Sequence, residues 1–110
     1  MTDKIVVMSS CGSAAEAGKI AESLVEKRLA ACVSILAGAQ SVYRWQGAME
    51  RTNEFLLIIK STRPLFAELR KELLRIHSYE MPEVLALPVV DGSASYLEWI
   101  DREVVLPSSQ

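Results

Sequence analysis

Three side chains in this 110-residue chain could ligate a soft or borderline metal ion: His77, Cys11 and Cys32. His77 is the only histidine, so neither a pair of histidines nor the closely spaced ligands of a closed zinc site can form within one copy. If copies of the chain assemble, a copper or zinc ion could bind the imidazole together with a cysteine thiolate or with Glu83. The alternative is that His77 ends a helix and interacts with the carbonyls of its last turn, while Cys32 packs in the core as a reduced thiol.

Two carboxylates, Glu80 and Glu83, lie three residues apart and are of the type that general acid–base catalysis uses. Such catalysis needs a fixed separation and two distinct environments, which the sequence does not specify. A loop with Ser9, Ser10 and Gly12 precedes a predicted helix start, but it lacks a phosphate-binding pattern. We therefore predict a binding protein that is not an enzyme and has no organic cofactor.

The elements that position these side chains follow the order β-α-β-β-α-β, with a short helix at the end. Apolar residues spaced at about 3.6 indicate amphipathic helices, and β-branched and aromatic runs indicate strands. A glycine within the second strand predicts a bend or bulge, and a turn over 46–49 predicts a hairpin. The predicted strands cover residues 5–8, 32–45 with an interruption at Gly38, 54–60 and 84–90, and the predicted helices cover 14–29, 64–77 and 95–100.

This order is typical of a ferredoxin-like α+β sandwich, in which a four-stranded antiparallel sheet carries two helices on one face. Residues 55–59 are apolar at five successive positions. Because successive side chains of a strand point to opposite faces, such a run predicts burial on both faces of the sheet. The final helix could cover part of the second face, but a large exposed apolar patch is rare on a monomer. The chain is therefore predicted to assemble with copies of itself.

Length and composition narrow the class of protein further. A chain of 110 residues has room for one hydrophobic core, so residues 1–110 are predicted to form a single domain with a frayed tail from about residue 105. A formal net charge of −2 gives no basic patch for nucleic acid. No apolar run approaches the ~18 residues of a membrane span, and no signal-peptide pattern is present. These features predict a cytoplasmic protein without a nucleic acid partner.

Three motifs, in this order and at these spacings, closely resemble the CutA family, the divalent-cation tolerance proteins. They are Ala-Ala-Cys at 30–32, Tyr-x-Trp-x-Gly at 43–47 and His-x-Tyr-x-x-Pro-Glu at 77–83. The third strand, 54–61, contributes to the likeness, which extends from the first strand to residues 96–100. The resemblance implies a tight homotrimer of ferredoxin-like subunits, similar in architecture to the PII signalling proteins.

The resemblance also implies a function. In the leading hypothesis the trimer binds divalent metal ions, copper above all, and supports tolerance to them. In the alternative it is a PII-like signalling module that binds a small anionic metabolite in the cleft between subunits.

The resemblance places Trp45, Lys60, Tyr79 and Glu83 around that cleft. Two aromatic rings, one ammonium and one carboxylate would suit a small anion or a charged metabolite. The alternative is that Trp45 packs in a subunit interface and that Lys60 pairs with Glu83.

Two positions depart from the pattern of the family. Some members carry a cysteine at the end of the first strand, where this chain has Ser9, and a second histidine just before the first, where it has Ile76. A metal site that used those positions would be incomplete here. Cys11 could replace the missing cysteine only if its loop bends back.

Overall fold

The chain follows the predicted order of strands and helices. The structure is a computed structural model that describes residues 1–107, so the last three residues of the predicted frayed tail lie outside the described residues. Within residues 1–107, no helix is both long enough and apolar enough to cross a membrane. The elements are β1 (Lys4–Cys11), α1 (Ala14–Glu26), β2 (Cys32–Trp45), β3 (Ala48–Thr62), a 3-10 turn (Arg63–Leu65), α2 (Phe66–Ile76), β4 (Leu85–Pro88) and α3 (Ala94–Glu103).

The four strands form one sheet in the order β2-β3-β1-β4, and every neighbouring pair is antiparallel. This is the arrangement of a ferredoxin-like sandwich, so the predicted fold class is confirmed. β4 is shorter than predicted and lies at the edge, paired only with β1. It ends at Pro88, which has no N–H to donate to a further ladder.

One face of the sheet is covered by α1 and α2. Val7 from β1 and Leu57 and Ile59 from β3 point to this face and have 0% exposure. The helices contribute their apolar stripes, which recur at helical spacing. The buried residues of these stripes are Ala17, Ile20, Leu24, Leu69 and Leu73.

The other face, which we call the open face, is only partly covered. α3 packs over one part of it, where Ile100 is buried and Lys4 Nζ lies 3.1 Å from Asp101 Oδ2. Elsewhere Leu36 and Leu87 are 46% and 45% exposed. The half-buried residues that alternate with the core positions of β1 and β3 are Val6, Met8, Leu56 and Ile58.

β2 and β3 continue beyond the rest of the sheet as a two-stranded ribbon. β1 ends opposite Phe55, so residues 39–54, which we call the hairpin arm, pair only with each other. A two-residue turn joins the two strands. Its residues, Gln46 and Gly47, both have positive φ, as type I′ turns require. β3 therefore begins at Ala48, six residues earlier than predicted, because polar residues can occupy a strand that only one neighbour covers.

The predicted interruption near Gly38 is confirmed. The pairing of β2 with β3 shifts between Leu36 and Ala39, and Gly38 has a φ of 88°. That left-handed conformation suits glycine, which has no Cβ. The bulge separates the sheet from the hairpin arm.

α1 ends three residues earlier than predicted because the chain reverses at Arg28, which has a φ of 60°. The Arg28 guanidinium donates to the Glu103 carbonyl at the end of α3. The Arg28 carbonyl in turn accepts the Val105 N–H at 3.0 Å. These bonds tie the segment after α3 to the helical layer as far as Val105.

Candidate functional site

His77, the residue that follows α2, is the centre of a buried polar cluster at the end of β1. Its side chain is 0% exposed. Nδ1 accepts the Tyr79 N–H at 3.1 Å, so Nε2 carries the proton and donates it to the Ser10 carbonyl at 2.7 Å. In this neutral tautomer neither ring nitrogen has a lone pair left for a metal ion. The partner carbonyl belongs to β1, whereas the alternative prediction expected the last turn of α2.

Glu16, in the first turn of α1, extends the cluster. One carboxylate oxygen accepts the Ser78 N–H at 2.7 Å and lies 3.6 Å from His77 Nδ1. Burial alone would raise the pKa of this carboxyl, but the hydrogen bonds from Ser78 hold it below its ordinary value. Glu16 is therefore an anion that orders the loop after α2. Its capping pattern with Ser13, whose hydroxyl accepts the Glu16 N–H, was visible in the sequence, but this long-range bond was not.

Cys11 lies next to this cluster as a fully buried thiol. Its Sγ lies 3.7 Å from the Ser13 carbonyl. Burial, with smaller effects from the Glu16 and Glu54 carboxylates, raises the pKa of the thiol despite the bond to Ser13. Because a metal ion binds the thiolate, this environment opposes ligation by Cys11.

Cys32 has different surroundings, because it lies half-buried on the open face opposite Lys60. Lys60 Nζ lies 3.8 Å from the Cys32 sulfur and donates to the Ser34 hydroxyl at 2.9 Å. Lys60 also pairs with Val6, five residues before Cys11, so the two cysteines lie about 16 Å apart along the strand direction. One copy of the chain cannot place both thiols on the same ion.

Tyr79 connects the His77 cluster to β3. Its ring centroid lies 4.8 Å from that of His77, and its hydroxyl donates to a carboxylate oxygen of Glu54 at 2.8 Å. Burial and the Glu54 carboxylate raise the pKa of this phenol above its ordinary value. The sequence singled out Tyr79 but not Glu54, which no local motif distinguishes from the other polar residues of the hairpin.

The four predicted cleft residues are not brought together within one copy. Trp45 lies at the tip of the hairpin arm, opposite Ala48, and Lys60 lies twelve residues further along β3, or about 40 Å away. Tyr79 contacts the base of the arm between them, and Glu83 is exposed. A cleft that contains all four residues requires more than one copy of the chain.

The same holds for the predicted metal ligands. In residues 1–107, no three His, Cys, Asp or Glu side chains are grouped so that they could hold an ion. His77 has its own partners, and the two thiols are far apart. The residues of a single copy therefore do not fit a closed metal site.

Comparison with known proteins identifies close relatives. Residues 5–103 match the family model described as CutA1 divalent ion tolerance protein. The divalent-cation tolerance protein CutA of Thermus thermophilus is 43% identical over 95 residues, which cover 86% of this chain and 92% of that protein. The chloroplastic CutA protein of Arabidopsis thaliana is 48% identical over 86 residues, 77% of this chain, but the match spans only 47% of that protein. The crystal structure of CutA from Xylella fastidiosa superposes with a TM-score of 0.92 at 39% identity, covering 94% of this chain and all of that one.

Proposed function

The chain belongs to the CutA1 divalent ion tolerance protein family, and from this premise we propose that it is a homotrimer that binds divalent cations, copper above all, and supports tolerance to them. The observation that carries the proposal is the family match, which spans residues 5–103 and thus the whole ferredoxin-like unit. In this proposal the protein is not an enzyme and needs no organic cofactor.

The open face and the hairpin arm support assembly. An isolated two-stranded ribbon is at best marginally stable in water, and the arm exposes the apolar side chains of Val42, Tyr43 and Met49. The open face exposes further apolar residues that the chain does not cover. Packing the open faces of several copies together would bury both surfaces.

Metal binding in this proposal is shared between copies. Cys32 has the more accessible of the two thiols, and it lies on the open face that assembly would bring against other copies. A thiolate suits copper and zinc ions. Because one copy lacks a closed site, the remaining ligands would come from neighbouring copies.

An anaerobic titration of the purified protein with copper, in which calorimetry measures the binding, tests the proposal. We expect saturable binding at micromolar metal and a loss of about tenfold or more in affinity for Cys32→Ser. Cys11→Ser is the matched control, and it should bind as the unaltered chain does because its thiol is buried. The absence of saturable binding, or equal losses in both variants, would contradict the proposal.

His77 remains a predicted metal ligand, and the same titration can test whether it binds copper. Since both ring nitrogens already have partners, we expect His77→Gln to lower stability and leave copper affinity unchanged. A selective loss of copper affinity in a folded His77→Gln variant would show that the ring turns toward the metal.

A second candidate, binding of a small anion, is favoured by one observation. Lys60 Nζ is half-buried, and within residues 1–107 no carboxylate lies within 4.0 Å of it. A thermal-shift screen of nucleotides and organic acids distinguishes the candidates. Stabilisation by an anion, lost in Lys60→Met, would favour this second function over metal binding.

We also propose that the protein is located in the cytoplasm. Cys11 and Cys32 are free thiols, as expected in the reducing cytoplasm. Fractionation of cells that express the full protein tests this location, and recovery from another compartment would contradict it.

A further inference from the structure

The base of the hairpin arm has the features of a hinge. β1 ends opposite Phe55, so the next residue of β3 toward the arm, Glu54, has only β2 as a neighbour. Opposite Glu54 lies Ala39, the first residue after the bulge. Gly38, within the bulge, has a φ of 88°. The width of the sheet, the strand register and the backbone conformation all change at this point.

Glu54 is an unusual residue to find there because it is only 6% exposed. In the described part of the chain, its carboxylate has no Lys, Arg or His nitrogen within 4.0 Å. The side chain that donates to it is Tyr79, at 2.8 Å. Hydrogen bonds between a phenol and a carboxylate are shorter and stronger than those between neutral groups, so this contact is a substantial link between the arm and the rest of the molecule.

Tyr79 is anchored to elements other than the arm. Its N–H donates to His77 Nδ1 at 3.1 Å, and its ring packs on the imidazole. A Cβ at Gly12 would lie 3.4 Å from the Tyr79 oxygen, so the loop after β1 also approaches the hydroxyl closely. The tyrosine is thus held by the ends of β1 and α2, while its hydroxyl reaches the arm.

We propose that the Tyr79–Glu54 hydrogen bond is a latch that holds the hairpin arm against the loop after α2. When a ligand or a neighbouring protein forms a competing hydrogen bond with Tyr79 or Glu54, the arm is released and moves about the bulge. Because the arm carries part of the proposed assembly surface, the latch would connect the surroundings of Tyr79 to assembly. This consequence rests on the proposed function, whereas the latch itself is independent of the proposed function.

Hydrogen–deuterium exchange of the full-length protein tests the latch through Tyr79→Phe, which removes the hydroxyl and retains the ring. Backbone amides of residues 39–54 should exchange about three- to tenfold faster, because local opening no longer breaks the bond to Glu54. Amides of α1 should be unchanged. In Glu54→Gln the increase should be smaller, since the amide oxygen can still accept from the phenol.

Tyr96→Phe is the matched control, because Tyr96 is a half-exposed tyrosine on α3 whose hydroxyl has no partner in the described chain. In the Tyr96→Phe variant, the amides of the hairpin arm should exchange at the same rate as in the unaltered protein. Unchanged exchange of the arm in Tyr79→Phe, or an equal acceleration in every element, would overturn the proposal. If Tyr79→Phe does not fold, Glu54→Ala provides the same test from the other partner. Copper affinity is measured separately, so failure of the latch and failure of metal binding are distinguishable.

Discussion

The two faces of the sheet are built from the same strands but differ in what covers them. On the face covered by α1 and α2, Val7, Leu57 and Ile59 are completely buried. On the open face their immediate neighbours Met8 and Ile58 are only half-buried, although they are equally apolar. Alternation along a strand explains which residues share a face, but it does not explain why the second face is apolar.

The difference shows which parts of the sequence serve the single chain and which serve contacts beyond it. The covered face is largely buried within one chain, because two amphipathic helices pack on most of its apolar residues. The open face and the hairpin arm contain apolar residues that nothing in the described chain buries fully. We therefore expect substitutions on the covered face to change folding stability, and substitutions on the open face to change assembly.

The largest effect is expected for Leu57→Asp on the covered face. Removing a buried leucine costs about 2–5 kcal/mol, and a carboxylate in its place adds several kcal/mol more. The sum is comparable to the whole stability of a domain, about 5–15 kcal/mol, so the native far-UV circular dichroism should be lost. Glu68→Ala, on the exposed side of α2, should retain it. A native spectrum for Leu57→Asp would show that this face is not the core.

A smaller effect is expected at the contact between the two helices that cover this face. Glu72, which is largely buried, accepts from Arg75, Ser23 and Lys27. The Arg75 guanidinium above all, with Ser23 and Lys27, overcomes the opposing effect of burial and holds the pKa of the Glu72 carboxyl far below its usual range. Because both cations are more than half exposed, Glu72→Gln should destabilise the protein at neutral pH by only about 1–3 kcal/mol.

The pH dependence gives the sign of this contribution. A carboxyl whose pKa is lowered on folding stabilises the folded state above its unfolded pKa, about 4.3. As the pH falls from about 5 toward the folded pKa, that stabilisation is lost. Urea unfolding between pH 7 and pH 3 should therefore show a steeper loss of stability for the unaltered chain than for Glu72→Gln. If stability falls equally steeply with pH in both proteins, the ionised Glu72 carboxylate does not stabilise the folded state as proposed.

The smallest effect, a gain, is expected at Ser9 on the covered face. Its hydroxyl is fully buried and has no hydrogen-bond partner in the described structure. Ser9→Ala should stabilise the fold by up to about 1 kcal/mol, because an unpaired buried polar group is removed. Thermal melts should show a rise of a few degrees. The neighbouring variant Ser10→Ala, on the other face, should give no such gain, and a lower melting temperature for Ser9→Ala would contradict the reading.

Much of the fold could be predicted from local patterns. The order of the elements, the interruption at Gly38 and the end of α2 near His77 each depend on residues close together in sequence. The start of β3 was missed because its first residues are polar and are paired only with β2. Such a ribbon does not need the apolar run that marks a core strand.

The candidate site was less predictable, because its decisive contacts join distant positions. The imidazole of His77 binds the carbonyl of Ser10, 67 positions earlier, and a residue type gives no information about such a partner. Tyr79 was chosen from the family resemblance, but its bond to Glu54 depends on how the loop after α2 meets the base of the hairpin arm. Cleft and metal residues that must come from several copies stay predictions.

The mass of Ile58→Asp in solution, measured by light scattering after size exclusion, tests most directly whether the open face is the assembly surface. Ile58 lies on the open face, next to the core residue Leu57, and a carboxylate there would have to be buried in every interface of the assembly. We expect the unaltered chain and Ile58→Val to have three times the mass of one chain, and Ile58→Asp to lose the trimer. An Ile58→Asp protein that keeps the trimeric mass would contradict the assignment of the open face to assembly.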